Sequence, residues 1–523
     1  MTPTKRWTLA ATVLGSSMVF LDGTVVTVAL PAIARDLPAT VVGALEGQSF
    51  VYNAYLLSLS SLLILAGALN DYFGRRRMFA IGLVGFGSTS ALCGLAPTME
   101  LLIVFRALQG ATGALLVPGS LAILTEAFAG PERGRVIGIW AAASSLTSLL
   151  GPFIGGVLVD TVSWRVAFLI NAPFVVPALW ATLRHVRESR DPNATGHFDW
   201  LGALVVALAV GGLSFGAIRG QQYNWHDPLA FVALGIGALA AIAFPILMLR
   251  RPNPLVPPIL FRSRNFTVTN ISTLLIYGAL SVFGYVSAVF LQGTLGYTAA
   301  AAGLAGIAVS LFLIVLSARF GAWAGRIGPR RFMALGPLLM AISVLWFARI
   351  PSASAAWQLA PGRPETYLPP PSYVVDLLPG YILFGIGLAV MVAPLTTALM
   401  SSVPARNSGL ASAINNAISR VGPQLATAVI FIAITASFYA GLAARVPGID
   451  TNDGAIRNRI PPLNRPDSSV PPAVVAAARD ASTDSFHLAM LVVAGLLAAG
   501  ALVNWVGIRD VDTSLQATET GAL

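Results

Sequence analysis

The sequence predicts an all-α integral membrane protein of fourteen spans, arranged as two six-helix bundles with two extra transmembrane helices between them. Three observations carry this. Of 523 residues, 56% are hydrophobic and only 10% are charged, whereas a soluble domain averages roughly 25% charged residues. Apolar stretches of about 20 residues, the length that crosses ~30 Å of hydrocarbon, recur fourteen times. A motif of the first half also returns in the second.

The stretches start near Trp7, Gly47, Met78, Leu101, Val136, Arg165, Phe198, Pro228, Phe266, Ala302, Phe332, Asp376, Asn407 and Ser485. Between them lie segments such as "GPERGR", "ESRDPNATGHF", "RRPNPLVPPILFRSRN" and "PGRPETYLPPPS", whose Gly, Pro, Asn and Arg end helices and turn the chain. Lys5 and Arg6 ahead of the first stretch imitate a secretory signal. Asp22 interrupts that stretch and no convincing A-x-A cleavage site follows, so it reads as an uncleaved first span.

The repeat organises the spans. "GALNDYFGRRR" from Gly67 and "GAWAGRIGPRR" from Gly321 agree without gaps at Gly, Ala, Gly, Arg and Arg. Each follows the second helix of a six-helix set. "GPFIGG" from Gly151 and "GPQLAT" from Gly422 fall in the fifth helix of each set. The expected division is an N-terminal six-helix half at 1–190, two extra helices at 191–262, a C-terminal six-helix half at 263–510 and a short cytoplasmic tail at 511–523. Two parallel repeats with a cavity at their interface suit a transporter that rocks one half against the other.

The net charge of +10 comes from 31 arginines and one lysine against 22 acids. The arginines lie in short loops between spans, not on one face, which argues against a nucleic-acid partner. Nineteen basic residues, among them Arg75 to Arg77, Arg330 and Arg331, fall on the side of the N-terminus, and ten on the other. The positive-inside rule then puts both termini in the cytoplasm of a multi-pass cell-membrane protein. Arginine in place of lysine hints at a bacterial source. Cys93 is the single cysteine and can form neither an internal disulfide nor a Cys-rich metal site. The four histidines lack metal-ligand spacing, and no Gly-Lys-Ser phosphate loop points to ATP. "NAT" at Asn193 fits the glycosylation pattern but falls on the cytoplasmic side. The expected partners are the bilayer and a small molecule, with no cofactor, no metal, and a monomeric protein.

Charges inside spans point to function. Counted along the first and fourth helices at 1.5 Å per residue, Asp22 and Arg106 both lie about 21 Å from the inner boundary. A lone charge at that depth costs at least ~2.5 kcal/mol, so pairing or a watery cavity is expected. Burial and a nearby cation act on a carboxylate's proton affinity in opposite senses, so a movement that alters either can load or release a proton. A fixed ion pair that merely orients two helices is the alternative. Arg420, deep in the thirteenth span, has no identifiable acid partner. It either faces the cavity or bonds backbone carbonyls near Gly422 and Pro423. Asn415, Asn416 and Gln424 are its polar neighbours, either lining the cavity or packing, with Asn416 the cavity candidate among them, and Tyr55 and Gln109 are further cavity candidates.

At the inner ends, Asp71, Gly74 and Arg75 to Arg77 form a tight turn, where Asp can cap the next helix or bind an Arg. Glu126 is a second acid within reach. In the fifth span, small residues and Gly151, Pro152, Gly155 and Gly156 predict close helix approach and a bend.

"LDGTVVTVALP", "NAYLLSLSSLLILAGALNDYFGRRRMF", "LLIVFRALQGATGA", "LLGPFIGG", "SWRVAFLINAP", "VAPLTTAL" and "GLASAINNAISRVGP" together resemble the fourteen-span drug/proton antiporter branch of the major facilitator superfamily. The resemblance covers nearly the whole chain. It implies alternating access with proton coupling at Asp22 and Arg106 and a cytoplasmic charge latch at Asp71, Arg75 and Glu126. It also implies an antiporter motif at Gly151, Pro152, Gly155 and Gly156, and a substrate cavity with Arg420. The implied function is proton-driven efflux of small amphipathic drugs, not an enzymatic reaction. An exporter of one endogenous metabolite, peptide or lipid is the alternative, and a non-transporting receptor or assembly protein a further one. Monocations, neutral compounds and anions all stay open as cargo, the last helped by Arg420.

Overall fold

The computed structural model describes residues 1–38, 44–190, 197–223, 225–360 and 362–510. Asn193 and the tail at 511–523 lie outside the described residues. Every predicted apolar stretch is helical. In the first half these are α1 (Pro3–Asp36), α2 (Ala44–Phe73), α3 (Arg75–Gly94), α4 (Met99–Ala127), α5 (Gly130–Thr161) and α6 (Val166–His185). The extra pair is α7 (Trp200–Gln222) and α8 (Pro228–Arg250). The second half comprises α9 (Arg264–Leu295), α10 (Ala300–Ile327), α11 (Arg330–Phe347), α12 (Tyr373–Ser401), α13 (Ser408–Arg445) and α14 (Pro472–Gly507).

Thirteen of these are long and apolar enough to cross a membrane on composition alone. The fourteenth, α3, opens on three arginines and carries Gly-Ser-Thr-Ser at 87–90, which dilutes its apolar character. Its 20 residues still span about 30 Å. Helix starts follow local chemistry: Thr98, Asp199, Asp227 and Ser263 accept backbone N–H groups at the N-termini of α4, α7, α8 and α9, satisfying donors that a helix start leaves open.

The extra hairpin sits on the seam between halves. α7 packs on α2 and α13, while α8 packs almost wholly on α7. The outer face of α8 exposes Leu239, Ile242 and Leu249, an apolar surface suited to lipid.

The halves meet where α2 crosses α13 and α5 crosses α10, toward the end that carries the N-terminus. A Cβ on Gly67 would stand 2.7 Å from the Gly409 carbonyl oxygen, and one on Gly321 would stand 2.6 Å from that of Gly134. Gly138 meets the Ala318 backbone as closely. Gly67 and Gly321 are the first positions of the sequence repeat, whose first seven residues form the ends of α2 and α10 and do not follow them as expected. The repeat therefore supplies each half with the glycine at which its second helix crosses the fifth helix of the other. Among the described residues α1 and α9, the first helices of the halves, form no extended interface. The bundle is closed at its N-terminal end, with a cavity above the crossings.

Seven residues further along each repeat, Gly74 and Gly328 adopt φ of +107° and +90°, a region that a side chain strongly disfavours. The helix after each is capped by a carboxylate from just past the sixth helix of its half. Glu188 accepts from the N–H groups of Arg76 and Arg77 at 3.0 and 3.1 Å, and Asp510 accepts from Arg330 N at 3.1 Å. No local spacing in the sequence announces either cap.

Candidate functional site

Asp22 of α1 and Arg106 of α4 form an ion pair with no exposed surface on either side chain. Arg106 Nη1 donates to Asp22 Oδ2 at 2.5 Å and to Gln109 Oε1 at 2.7 Å, and its Nε donates to the Val51 carbonyl at 3.3 Å. The other carboxylate oxygen, Oδ1, accepts from Gln109 Nε2 at 2.8 Å and from Asn171 Nδ2 at 3.2 Å. Gln109 follows Arg106 by three residues and so shares its helix face. Beneath the guanidinium, the Tyr55 ring lies with its centroid 4.1 Å away, and the Tyr55 hydroxyl donates to the Val19 carbonyl at 3.0 Å. Arg106 Nη2 has no hydrogen-bond partner among the described residues.

Two predictions need correcting here. Tyr55 and Gln109, expected in the substrate cavity, are sealed inside this network, 1% and 0% exposed. Both turn toward Arg106 because a buried guanidinium needs acceptors and a π face close by. Asn171 was missed. It sits in α6 within "SWRVAFLINAP" and also donates to Ser90 Oγ at 2.9 Å. The available signal was an amide inside an otherwise apolar span.

Between the halves lies a cavity of about 350 Å³. Phe20 and Trp140 line it from the first half, and Tyr277, Asn416 and Arg420 from the second. Trp140 Nε1 donates to Ser16 Oγ at 2.9 Å, and its ring meets Phe20 edge to face at 6.3 Å between centroids. Arg420 is half-buried and makes no hydrogen bond or ion pair with the described residues. The expected alternative, bonds to carbonyls near Gly422 and Pro423, is not formed, and α13 runs through Pro423 unbroken. Asn415 turns mainly to α9, donating to Thr273 Oγ1 at 2.7 Å. Asn416 donates to the Ser412 carbonyl at 2.9 Å. The Gln424 carbonyl accepts from Gln221 of α7 at 3.3 Å.

The third cluster closes the N-terminal end. Arg75 Nη2 lies 2.9 Å from Asp71 Oδ1, and its Nη1 lies 3.3 Å from Glu126 Oε2. Asp71 does not cap the helix that follows it. Its Oδ2 accepts from Leu410 N at 2.8 Å and its Oδ1 from Gly409 N at 3.3 Å, so it caps α13 in the other half. A carboxylate at a helix N-terminus meets open donors and the positive end of the macrodipole.

In α5, Gly151 packs against Thr24 and Leu21, and Gly155 against Val25. These contacts press α5 onto α1 within one turn of Asp22. Gly156 has room around it, with Val28 at 3.9 Å. Pro152 lies within the helix, and its side chain is outside the described ones.

Residues 12–427 match the family described as the Major Facilitator Superfamily. The chain is 33% identical over 431 residues to "Multidrug resistance protein Stp" of Mycobacterium tuberculosis (strain CDC 1551 / Oshkosh), covering 82% of this chain and 76% of that protein. It is 32% identical over 425 residues to "Tetracenomycin C resistance and export protein" of Streptomyces glaucescens, covering 81% and 74%. Among solved structures, the human organic anion transporter MFSD10 superposes with a TM-score of 0.57 at 15% identity, covering 96% of this chain and all of that one, a likeness of fold.

Proposed function

The chain belongs to the Major Facilitator Superfamily, and on that premise we propose that it is a proton-driven exporter of small amphipathic compounds, working by alternating access. The resistance and export proteins among its relatives support efflux. The observation that carries proton coupling is the Asp22 carboxylate, buried with Arg106 two residues along α1 from the cavity-lining Phe20.

With the arginine-rich loops on the cytoplasmic side, the N-terminal end faces the cytoplasm and the structure is the state closed to it. A proton arriving from outside neutralises Asp22 and removes its attraction for Arg106. Gln109 and Asn171 then lose an ionised acceptor, which loosens α1 against α4 and α6. The glycine crossings and the Asp71 cap part, and the cavity opens inward. Cargo binding and proton release reverse the cycle. Each proton moving inward supplies ~2.3 kcal/mol per 100 mV of membrane potential, besides the pH gradient. No covalent chemistry is required, so the protein acts as a carrier in the cytoplasmic membrane.

Proton flux in liposomes carrying wild type or Asp22→Asn tests this. Cargo added to the wild type should release protons, while the variant should bind cargo and stay silent. Equal coupling by the variant would remove Asp22 from the mechanism.

A further inference from the structure

The charge of the cavity is settled by two facts that only the fold brings together. Asp22, the acid nearest to it along the first half, is fully buried, and both its oxygens are taken by Arg106, Gln109 and Asn171. It offers no free negative charge to a ligand. Arg420 lines the cavity with its guanidinium uncommitted among the described residues, and no Asp or Glu is among the lining residues described. Among the described residues the cavity thus presents one cation and no counter-charge.

Across from Arg420, Phe20 and Trp140 form an aromatic corner. Trp140 is held by its bond to Ser16, so the indole presents its ring and not its N–H. Ser144, 6% exposed, lines the same cavity with a hydroxyl that has no partner among the described residues. A buried hydroxyl left unbonded is costly, and an acceptor on a ligand removes that cost.

We infer that the cavity takes amphipathic compounds with an aromatic or fused-ring body and one anionic group, such as a carboxylate or an acidic phenol or enol. The anion sits on Arg420, the ring lies against Phe20 and Trp140, and a carbonyl or hydroxyl oxygen accepts from Ser144. A guanidinium forks onto carboxylate-like oxygens better than any other side chain. A cationic compound would bring like charge into a partly buried space that holds no acid to receive it. The energetics of exchange agree. One proton in for one anion out moves two elementary charges inward, so membrane potential drives the cycle twice as strongly as for neutral cargo, whereas exchange for a monocation gains nothing from it. The direction of transport rests on the exporter reading above, while the binding site does not.

Binding of naphthalene-2-carboxylate, naphthalene-2-carboxamide and 2-naphthylmethylammonium to the full chain in lipid nanodiscs, by equilibrium dialysis, tests the assignment. The carboxylate should bind at least about tenfold more tightly than the ammonium compound. Arg420→Gln should weaken the carboxylate by about 10- to 100-fold, the range for losing a charge-assisted hydrogen bond, while leaving the carboxamide unchanged, which also shows that the variant is folded. Arg420→Lys should recover part of the preference. The inference falls if the ammonium compound binds as well as the carboxylate, if the preference survives Arg420→Gln, or if none of the three binds the wild type. Voltage-clamped liposomes separate this from the exporter reading. Movement of the ammonium compound in place of the carboxylate would keep the exporter and overturn the anion. Tight, Arg420-dependent carboxylate binding without any flux would keep the site and overturn the exporter.

Discussion

Gly321 of α10 and Gly134 of α5 come so close that a Cβ on Gly321 would stand 2.6 Å from the Gly134 carbonyl oxygen. The two belong to different halves, so on the proposed rocking mechanism their contact would be lost when the N-terminal end opens. Backbone atoms cannot move aside there without parting the helices.

Gly321→Val should therefore drive the bundle open at that end and reduce transport at least about tenfold, while leaving the fold intact. Spin labels on the exposed Arg135 and Arg326 positions would read the change as a longer distance. The native Cys93 is buried and would not compete for label. An unchanged distance would mean that the crossing tolerates a side chain and does not gate.

Asp71 joins the halves electrostatically where the glycines join them sterically. Asp71→Asn should weaken both the Arg75 pair and the α13 cap. Charge-assisted hydrogen bonds contribute about 1.5–3 kcal/mol, so the closed state should lose roughly 10- to 100-fold in population. Labels at Phe73 and Arg406, both exposed, would report it. Glu188→Gln, which affects a cap within one half, should leave that distance unchanged.

The buried pair makes a prediction about stability. Removing one partner of such a pair typically costs about 3–5 kcal/mol, because the other charge is left uncompensated. Asp22→Asn should destabilise the protein by an amount toward the low end, since Gln109, the Val51 carbonyl and the Tyr55 ring still hold Arg106. The double variant Asp22→Asn with Arg106→Gln should be more stable than the single one. Additive losses in thermal unfolding would show that the pair contributes no coupling energy.

At the opposite end, Asp227 caps α8 and pairs with Arg219. The Leu229 N–H and the Arg219 guanidinium hold its carboxyl below the ordinary value. A carboxyl depressed on folding adds stability above its unfolded value and loses it as pH falls through the folded one. The α7–α8 hairpin should accordingly become more open to hydrogen exchange below about pH 4, and Asp227→Asn should remove that pH dependence. A hairpin whose exchange ignores pH in both proteins would show that the cap contributes nothing.

Much was legible in the residues because it is local. Span length and apolarity follow from composition, and every stretch predicted from them is a helix, including α3 with its diluted apolar character. The repeat at Gly67 and Gly321 was visible as letters, and so was the anomaly of Asp22 and Arg106 inside apolar runs. Side-chain direction was less legible. Tyr55 and Gln109 are expected in the cavity from residue type and span alone, yet they face the ion pair and are sealed from the cavity.

By itself, then, the sequence determined the number of spans, their pairing into two related halves and the presence of intramembrane charge, since these depend on periods and runs within one segment. Only the tertiary structure decided that Asp71 caps a helix more than 300 positions away, with Leu410 N as its donor. It alone brought Asn171 to Asp22 across 149 positions and left Arg420 without a counter-charge among the described residues. The physical reason is that hydrogen-bond donors at helix ends and the faces of helices acquire partners only on packing. In a bundle whose every span is apolar, hydrophobicity alone does not choose which face meets which.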